Sequence, residues 1–187
     1  DMYEKIRFIT TITNIVAVAI ENKRLFKKQL EQESVKKEMQ LAKQMQNLLI
    51  PTELPHNEAY ELDGIYMPHS SVGGDYFDFI KFNQDEFAFC IADVSGKGVA
   101  AALLMANFQA NLQSLIVQRL DTDDFIQRLN KSVLKITKGD KFLTFFYGEY
   151  NLKTKTLKYV NAGHNPPVLI TQNKIQLLDK GCTILGI

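Results

Sequence analysis

The sequence predicts an α+β domain with largely antiparallel strands, carried behind one long N-terminal helix. Three observations predict it. The first 50 residues contain neither glycine nor proline. After them come apolar runs of strand length, then two apolar stripes at helical spacing, then strand-length runs again. A chain of 187 residues, 45% hydrophobic and 23% charged, has room for one such domain plus an appendage.

From Asp1 to Ile50 the chain is rich in Lys, Glu, Gln, Leu and Met, and an unbroken helix there would reach about 75 Å. Its first part is apolar, through Ile6, Ile9, Ile12, Ile15, Val16, Val18, Ala19 and Ile20. From Lys27 to Leu49 it is more polar. A heptad seam runs through Val18, Leu25, Val35, Met39, Ala42 and Leu49, and the same register puts Glu21, Lys28, Gln32 and Gln46 on the seam. Polar seam positions weaken a coiled coil while helping to fix its register. This stretch is expected to self-associate in parallel as a marginal coiled coil, which leucine at 32 and 46 would tighten. The bare pattern equally fits a solvated single helix packed on the domain. Pro51 ends the helix and marks the domain boundary. A strand is expected near Tyr60 to Tyr66.

The next stretch holds the chemistry. Tyr76 to Phe82 is aromatic-rich, Asn83 to Glu86 is a polar turn, and Phe87 to Ala92 is apolar enough for a strand covered on both faces. Folding the two runs back on each other brings Asp75 and Asp93 together at the open end of the hairpin. Such a pair would repel, and each would resist desolvation. A divalent cation removes both problems, and all-oxygen ligation suits magnesium or manganese. Asp75 lies opposite Asp93 only if the loop is odd, such as Asn83 to Asp85. An even loop opposes Asp75 with Val94, whose carbonyl becomes the natural partner instead. The sequence alone leaves both registers open. Asp78, three residues beyond Asp75, faces the other way and reads as structural.

Ser95-Gly96-Lys97-Gly98 then turns the chain into a helix to about Arg119, with Ala101, Leu104, Met105, Phe108, Leu112, Leu115 and Ile116 as its stripe. The turn lacks the flanking residues of a Walker A loop. Asp121 or Thr122 caps a second helix to about Thr137, with Phe125, Ile126, Leu129, Val133 and Leu134 inward. Strands follow at Phe142 to Tyr150, Thr156 to Asn161, Val168 to Thr171 and Lys174 to Leu178. His164, in a rigid loop before two prolines, is expected to bond structurally. His56 and His69 show no partner in the sequence. Cys90 reads as a buried, reduced thiol. A net charge of +1 gives no case for nucleic acid or an anionic membrane as partner. With no signal peptide and no apolar run near the ~20 residues of a bilayer span, the expected location is cytoplasmic.

Three motifs, in this order, carry a resemblance: Gly73-Gly74-Asp75-Tyr76-Phe77-Asp78, then Ala92-Asp93-Val94-Ser95-Gly96-Lys97-Gly98, then Asn161-Ala162-Gly163-His164-Asn165-Pro166-Pro167. Together they resemble the SpoIIE-like branch of the metal-dependent PPM serine/threonine phosphatases, over roughly Leu48 to Ile187. The resemblance implies a layered β-sandwich flanked by helices. It implies two manganese or magnesium ions and metal-activated attack of water on phosphoserine or phosphothreonine, with no phosphoenzyme. Asp75, Asp93 and the Val94 carbonyl match the family's ligand pattern; Val94 departs from the Asp-Gly common elsewhere, but the carbonyl survives the change. The implied substrate is a phosphoprotein such as a STAS-type anti-sigma-factor antagonist.

The stretch Ala17 to Phe26 resembles the last helix of a GAF sensor domain, so the expected organisation is 1–26 sensor helix, 27–50 linker and 51–187 N-terminal part of the phosphatase domain. Family catalysis draws ligands from both ends of the domain. No Asp-Gly pair follows Gly163-His164, and Asp179 is the last acidic residue. The chain is therefore expected to lack the late carboxylates and to be inactive by itself. The rival reading is a regulatory dimerisation module without catalysis. A diguanylate cyclase, hinted at by Gly73-Gly74-Asp75-Tyr76-Phe77, finds no supporting nucleotide segment between Pro51 and Ser71.

Overall fold

The computed structural model describes residues 1–68, 70–172 and 174–187, in two compact units, Asp1–Ala42 and Lys43–Ile187. Helix α1, Met2–Asn47, runs 46 residues without a break near Lys27, about 70 Å at 1.5 Å per residue. Neighbours one turn apart reinforce it, as where the Arg24 guanidinium meets Glu21 at 2.6 Å.

In the second unit, β1 (Asp75–Lys81), β2 (Glu86–Val94), β3 (Leu143–Asn151) and β4 (Thr156–Ala162) form an antiparallel sheet, which β7 (Gly181–Cys182) extends in parallel to β4. Strands β5 (Val168–Thr171) and β6 (Lys174–Leu177) form a separate hairpin. Helices α2 (Val99–Ile116) and α3 (Thr122–Thr137) lie between the two halves of the main sheet in sequence. The α+β class and the long helix are as expected. The two-residue strand β7 is too short for periodicity to reveal.

The core lies on one face of the sheet. Ala88, Cys90, Ala92 and Val94 of β2 and Leu143, Phe145 and Tyr147 of β3 are buried with Met105, Phe108 and Leu112 of α2 and Phe125, Leu129 and Val133 of α3. Phe108 stands edge-on to both Tyr76 (centroids 6.3 Å apart) and Phe145 (5.2 Å), tying α2 to β1 and β3. Each large side chain so buried contributes about 1.5–3 kcal/mol of transfer free energy. Cys90 is a buried free thiol, and burial pushes its pKa up. Asp121 caps α3, accepting from the Asp123 and Asp124 amides.

Five expectations change. Strand β2 is covered on both faces only near its start, where Phe87 is buried against Tyr60 and Tyr150; Ile91, on the same face, is 41% exposed. No strand forms over residues 60–66. Asn57 caps a turn by accepting from Ala59 and Tyr60, a lone bridge joins His56 to Glu61, and Asp63-Gly64 disfavours a ladder. Leu134 is 39% exposed, at the edge of the α3 stripe. Helix α2 stops at Ile116, since Arg119 takes a left-handed φ of 49°. By length and composition α2 could cross a membrane, but its stripe is the buried core just described.

The fifth concerns Gln46, which is no seam residue. Its side chain is buried in the second unit, where Nε2 donates to the Gly73 carbonyl (2.7 Å) and Oε1 accepts the Gly73 amide (2.9 Å). The Tyr66 hydroxyl donates to the same Oε1 at 3.4 Å. Gln46→Leu strands both Gly73 groups and is expected to destabilise the second unit by about 1–3 kcal/mol in urea unfolding. An unchanged midpoint would show that water replaces the clamp.

Candidate metal centre

The site is assembled by strand register. Strands β1 and β2 pair with Asp75 opposite Asp93, and the ladder closes where the Phe82 amide donates to the Glu86 carbonyl at 3.0 Å. Asn83, Gln84 and Asp85 are left as an odd, three-residue loop. Asn83 Oδ1 tightens it by accepting the Asp85 and Glu86 amides. Of the two registers the sequence allowed, this one puts both carboxylates on one face. Strand β3 adds Thr144 opposite Asp93.

Asp75 and Asp93 are exposed and line a cavity of about 300 Å³ with the Gly73-Gly74 turn, Val94 and the loop from Ser95 to Gly98. Their proximity is visible in their electrostatics. Burial, then the like charge and hydrogen bond of Asp93, lift the Asp75 carboxyl above the ordinary carboxylate range, while His164 pulls the other way. Tyr66 is lifted too, by burial and by the Asp75 charge. Gly74 is required beside the pair: a β-carbon there would stand 2.8 Å from the Val94 carbonyl oxygen. Two carboxylates and a nearby carbonyl are hard oxygen donors, a set able to hold a magnesium or manganese ion.

His164 enters the same field. Its Nδ1 shares a hydrogen with the Thr144 hydroxyl at 2.7 Å. Burial lowers its pKa, and the charges of Asp93 and Asp75 raise it. The loop that carries it is structural, as expected: buried Asn161 donates to the His164 and Leu178 carbonyls and accepts the His164 amide at 2.7 Å. Asp78 is also structural, accepting from the Tyr76 hydroxyl and the Gln113 amide on the helix-packed side. His56 does have partners, Glu61 at Nδ1 (2.8 Å) and Asp63 at Nε2 (3.5 Å), in an exposed group. His69 lies outside the described residues. Gln46, Tyr66 and Thr144 carried no sequence signal for the site; only the β2–β3 pairing could have pointed to Thr144.

The α+β domain, with its sheet packed on two helices, is similar in fold to PP2C-type phosphatase domains. The SiaA-PP2C domain of Pseudomonas aeruginosa superposes with a TM-score of 0.65 at 16% identity, over 83% of this chain and 64% of that one. The chain belongs to the SpoIIE family: the sequence profile of "Stage II sporulation protein E (SpoIIE)" matches residues 83–187. It is 32% identical over 158 residues to "Phosphoserine phosphatase RsbU" of Bacillus subtilis (strain 168), covering 83% of this chain and 47% of that protein. It is 27% identical over 140 residues to "Phosphoserine phosphatase RsbP" of the same strain, covering 73% of this chain and 34% of that protein. The chain thus spans less than half the length of either relative.

Replacing Asp93 by asparagine removes the like charge, so the Asp75 carboxyl should titrate nearer its ordinary value. Because the folded pKa of Asp75 lies above its unfolded one, its stabilising share is full below the unfolded pKa and is lost as pH rises through the folded one. Asp93→Asn should therefore stabilise the metal-free protein above that window by ~0.2–1 kcal/mol. Carboxyl-carbon NMR titration checks the pKa; an unmoved Asp75 would mean that the two groups do not interact.

Proposed function

We propose that this chain is the core of a metal-dependent protein serine/threonine phosphatase acting in bacterial signalling. The observation that carries the reading is Asp75 opposed to Asp93 in a SpoIIE-family fold. The relatives named phosphoserine phosphatases support the reaction class.

Asp75 and Asp93 would hold a divalent cation, with the Val94 carbonyl beside them. When bound, the cation supplies the charge that lowers the pKa of water and offsets that of the phosphoryl oxygens. Without it, the opposed carboxylates would turn a phosphate away. Gly74 lets the β1 turn approach Val94, and the Gln46 clamp fixes the residue before that glycine. Thr144 engages Nδ1 of His164 and so fixes the orientation of a ring that lies in the field of both carboxylates. The substrate in this reading is a phosphorylated protein, with STAS-type anti-sigma-factor antagonists the first class to try. A second ion would need the family's later carboxylates.

In the same reading the chain is a parallel dimer behind a GAF-type sensor, in the cytoplasm; the exposed apolar residues of α1, including Val18, Leu25 and Val35, support self-association of that helix. Sedimentation of the chain over a concentration series should show dimer, and Gln32→Leu should shift it further; monomer throughout would remove the dimer from the proposal.

The catalytic test uses the full product of the gene with manganese and a phosphoserine peptide. Turnover is expected, reduced at least 100-fold in Asp75→Asn and Asp93→Asn. Calorimetric manganese binding should weaken in the same variants. Turnover that survives chelation or Asp93→Asn would sink the reading.

A further inference from the structure

The cavity that Asp75 and Asp93 line is lined as well by the Ser95–Gly98 loop, which brings a cation to it. Lys97 lines the cavity itself. Lys141 comes to that loop from the segment before β3: its ammonium Nζ is the atom nearest to where a β-carbon on Gly96 would stand, at 3.2 Å. Gly96 is a cavity residue with a left-handed φ of 103°, so glycine is favoured there by conformation and also leaves room for the ammonium.

The backbone that carries Lys141 is held from two sides. The Ser95 amide donates to the Phe142 carbonyl (2.9 Å), and the Phe142 amide donates to Ser95 Oγ (3.1 Å). These bonds extend the β2–β3 ladder beyond the Val94–Leu143 pair, so Lys141 is the next residue out from the site. On the other side, Leu143 and Leu185 exchange amide–carbonyl bonds of 2.9 Å. Gly186 packs so close that a β-carbon there would stand 2.7 Å from the Lys141 carbonyl oxygen. Among the described residues, Lys141 has no carboxylate within 4.0 Å, while Lys153, at the far end of the sheet, meets Asp85 at 2.6 Å.

We propose that Lys141, beside Gly96, binds a non-bridging oxygen of the substrate's phosphoryl group, and of the phosphate product. The proposal rests on the phosphatase reading and names the substrate-binding cation within it. A phosphomonoester dianion carries more acceptor oxygens than a cation held by Asp75 and Asp93 would satisfy. An ammonium beside the cavity loop satisfies another and offsets the two carboxylates for an arriving anion. Lys141 is a substrate-positioning group in this account and passes no proton.

The test uses the full gene product loaded with magnesium, titrated calorimetrically with inorganic phosphate, and assayed on a phosphoserine peptide. Lys141→Ala is expected to weaken phosphate binding about tenfold, a change the size of one lost charge-assisted hydrogen bond. The KM for the peptide and the inhibition constant of phosphate should rise together, with metal affinity and melting temperature unchanged. Lys141→Arg should stay within about threefold of the parent, because the charge and donors remain. Lys153→Ala removes the same charge elsewhere and should change nothing. Phosphate affinity within twofold of the parent in Lys141→Ala overturns the assignment, as does equal weakening in Lys153→Ala or absence of phosphate binding in the parent. If Asp93→Asn still abolishes turnover in that case, the phosphatase reading stands and only the role of Lys141 falls.

Discussion

The length of the loop between β1 and β2 governs the rest of the site. Asn83 closes that loop on itself, so its length is held by side-chain bonds as well as by sequence. The side-chain period of a strand is two, so a loop one residue shorter would turn every residue of β2 over. Asp93 would then enter the layer occupied by Phe108 and Phe145, and Val94 would take its place opposite Asp75. Burying a lone carboxylate costs several kcal/mol, so the core enforces the register that the site needs. Asp93 lies between two anchors, Ala92 and Val94, each 1% exposed. The site residue is positioned by neighbours that have no chemistry of their own.

Asp75 is held differently. It begins its strand, so only one side of it is ladder. The other side is the Gly73-Gly74 turn, kept in place by the Gln46 amide and by the close approach of Gly74 to Val94. The paired carboxylates therefore rest on unlike supports: Asp93 on the hydrophobic core, Asp75 on polar bonds to a helix end. Disturbing α1 near Asn47 bears on Asp75 first, and disturbing α2 bears on Asp93.

Much of this was legible in the sequence, for physical reasons that also explain the gaps. The α3 stripe, the β5 run and the capping Asp121 are local signals, set by periodicity and by backbone amides within a few residues. The aspartate pair was legible because two charges at matching ends of adjacent strands have few structural uses, but the register needed the Phe82–Glu86 closure. Gln46 was misplaced because a glutamine on a heptad seam and one clamping a distant loop look alike in sequence; its partner is 27 residues away. Thr144 reached the site only through strand pairing between segments separated by two helices. Residues 60–66 have the composition of a strand, yet local bonds from Asn57 and the flexible Asp63-Gly64 step favour an irregular path. His164 was correctly placed in a structural loop, but its position in the field of both aspartates is a tertiary fact.

The apolar character of α2 has a consequence for the order in which the chain is made. Strands β1 and β2 leave the ribosome first, then an 18-residue helix as apolar as a bilayer span, and β3 only after α3. Phe108 finds Tyr76 at once but must wait nearly 40 residues of synthesis for Phe145, an interval of a few seconds at ordinary elongation rates. During that interval half of the helix's apolar surface has no partner within the chain. A nascent chain paused there is a substrate for chaperones and for insertion machinery alike, and what ends the exposure is the arrival of β3.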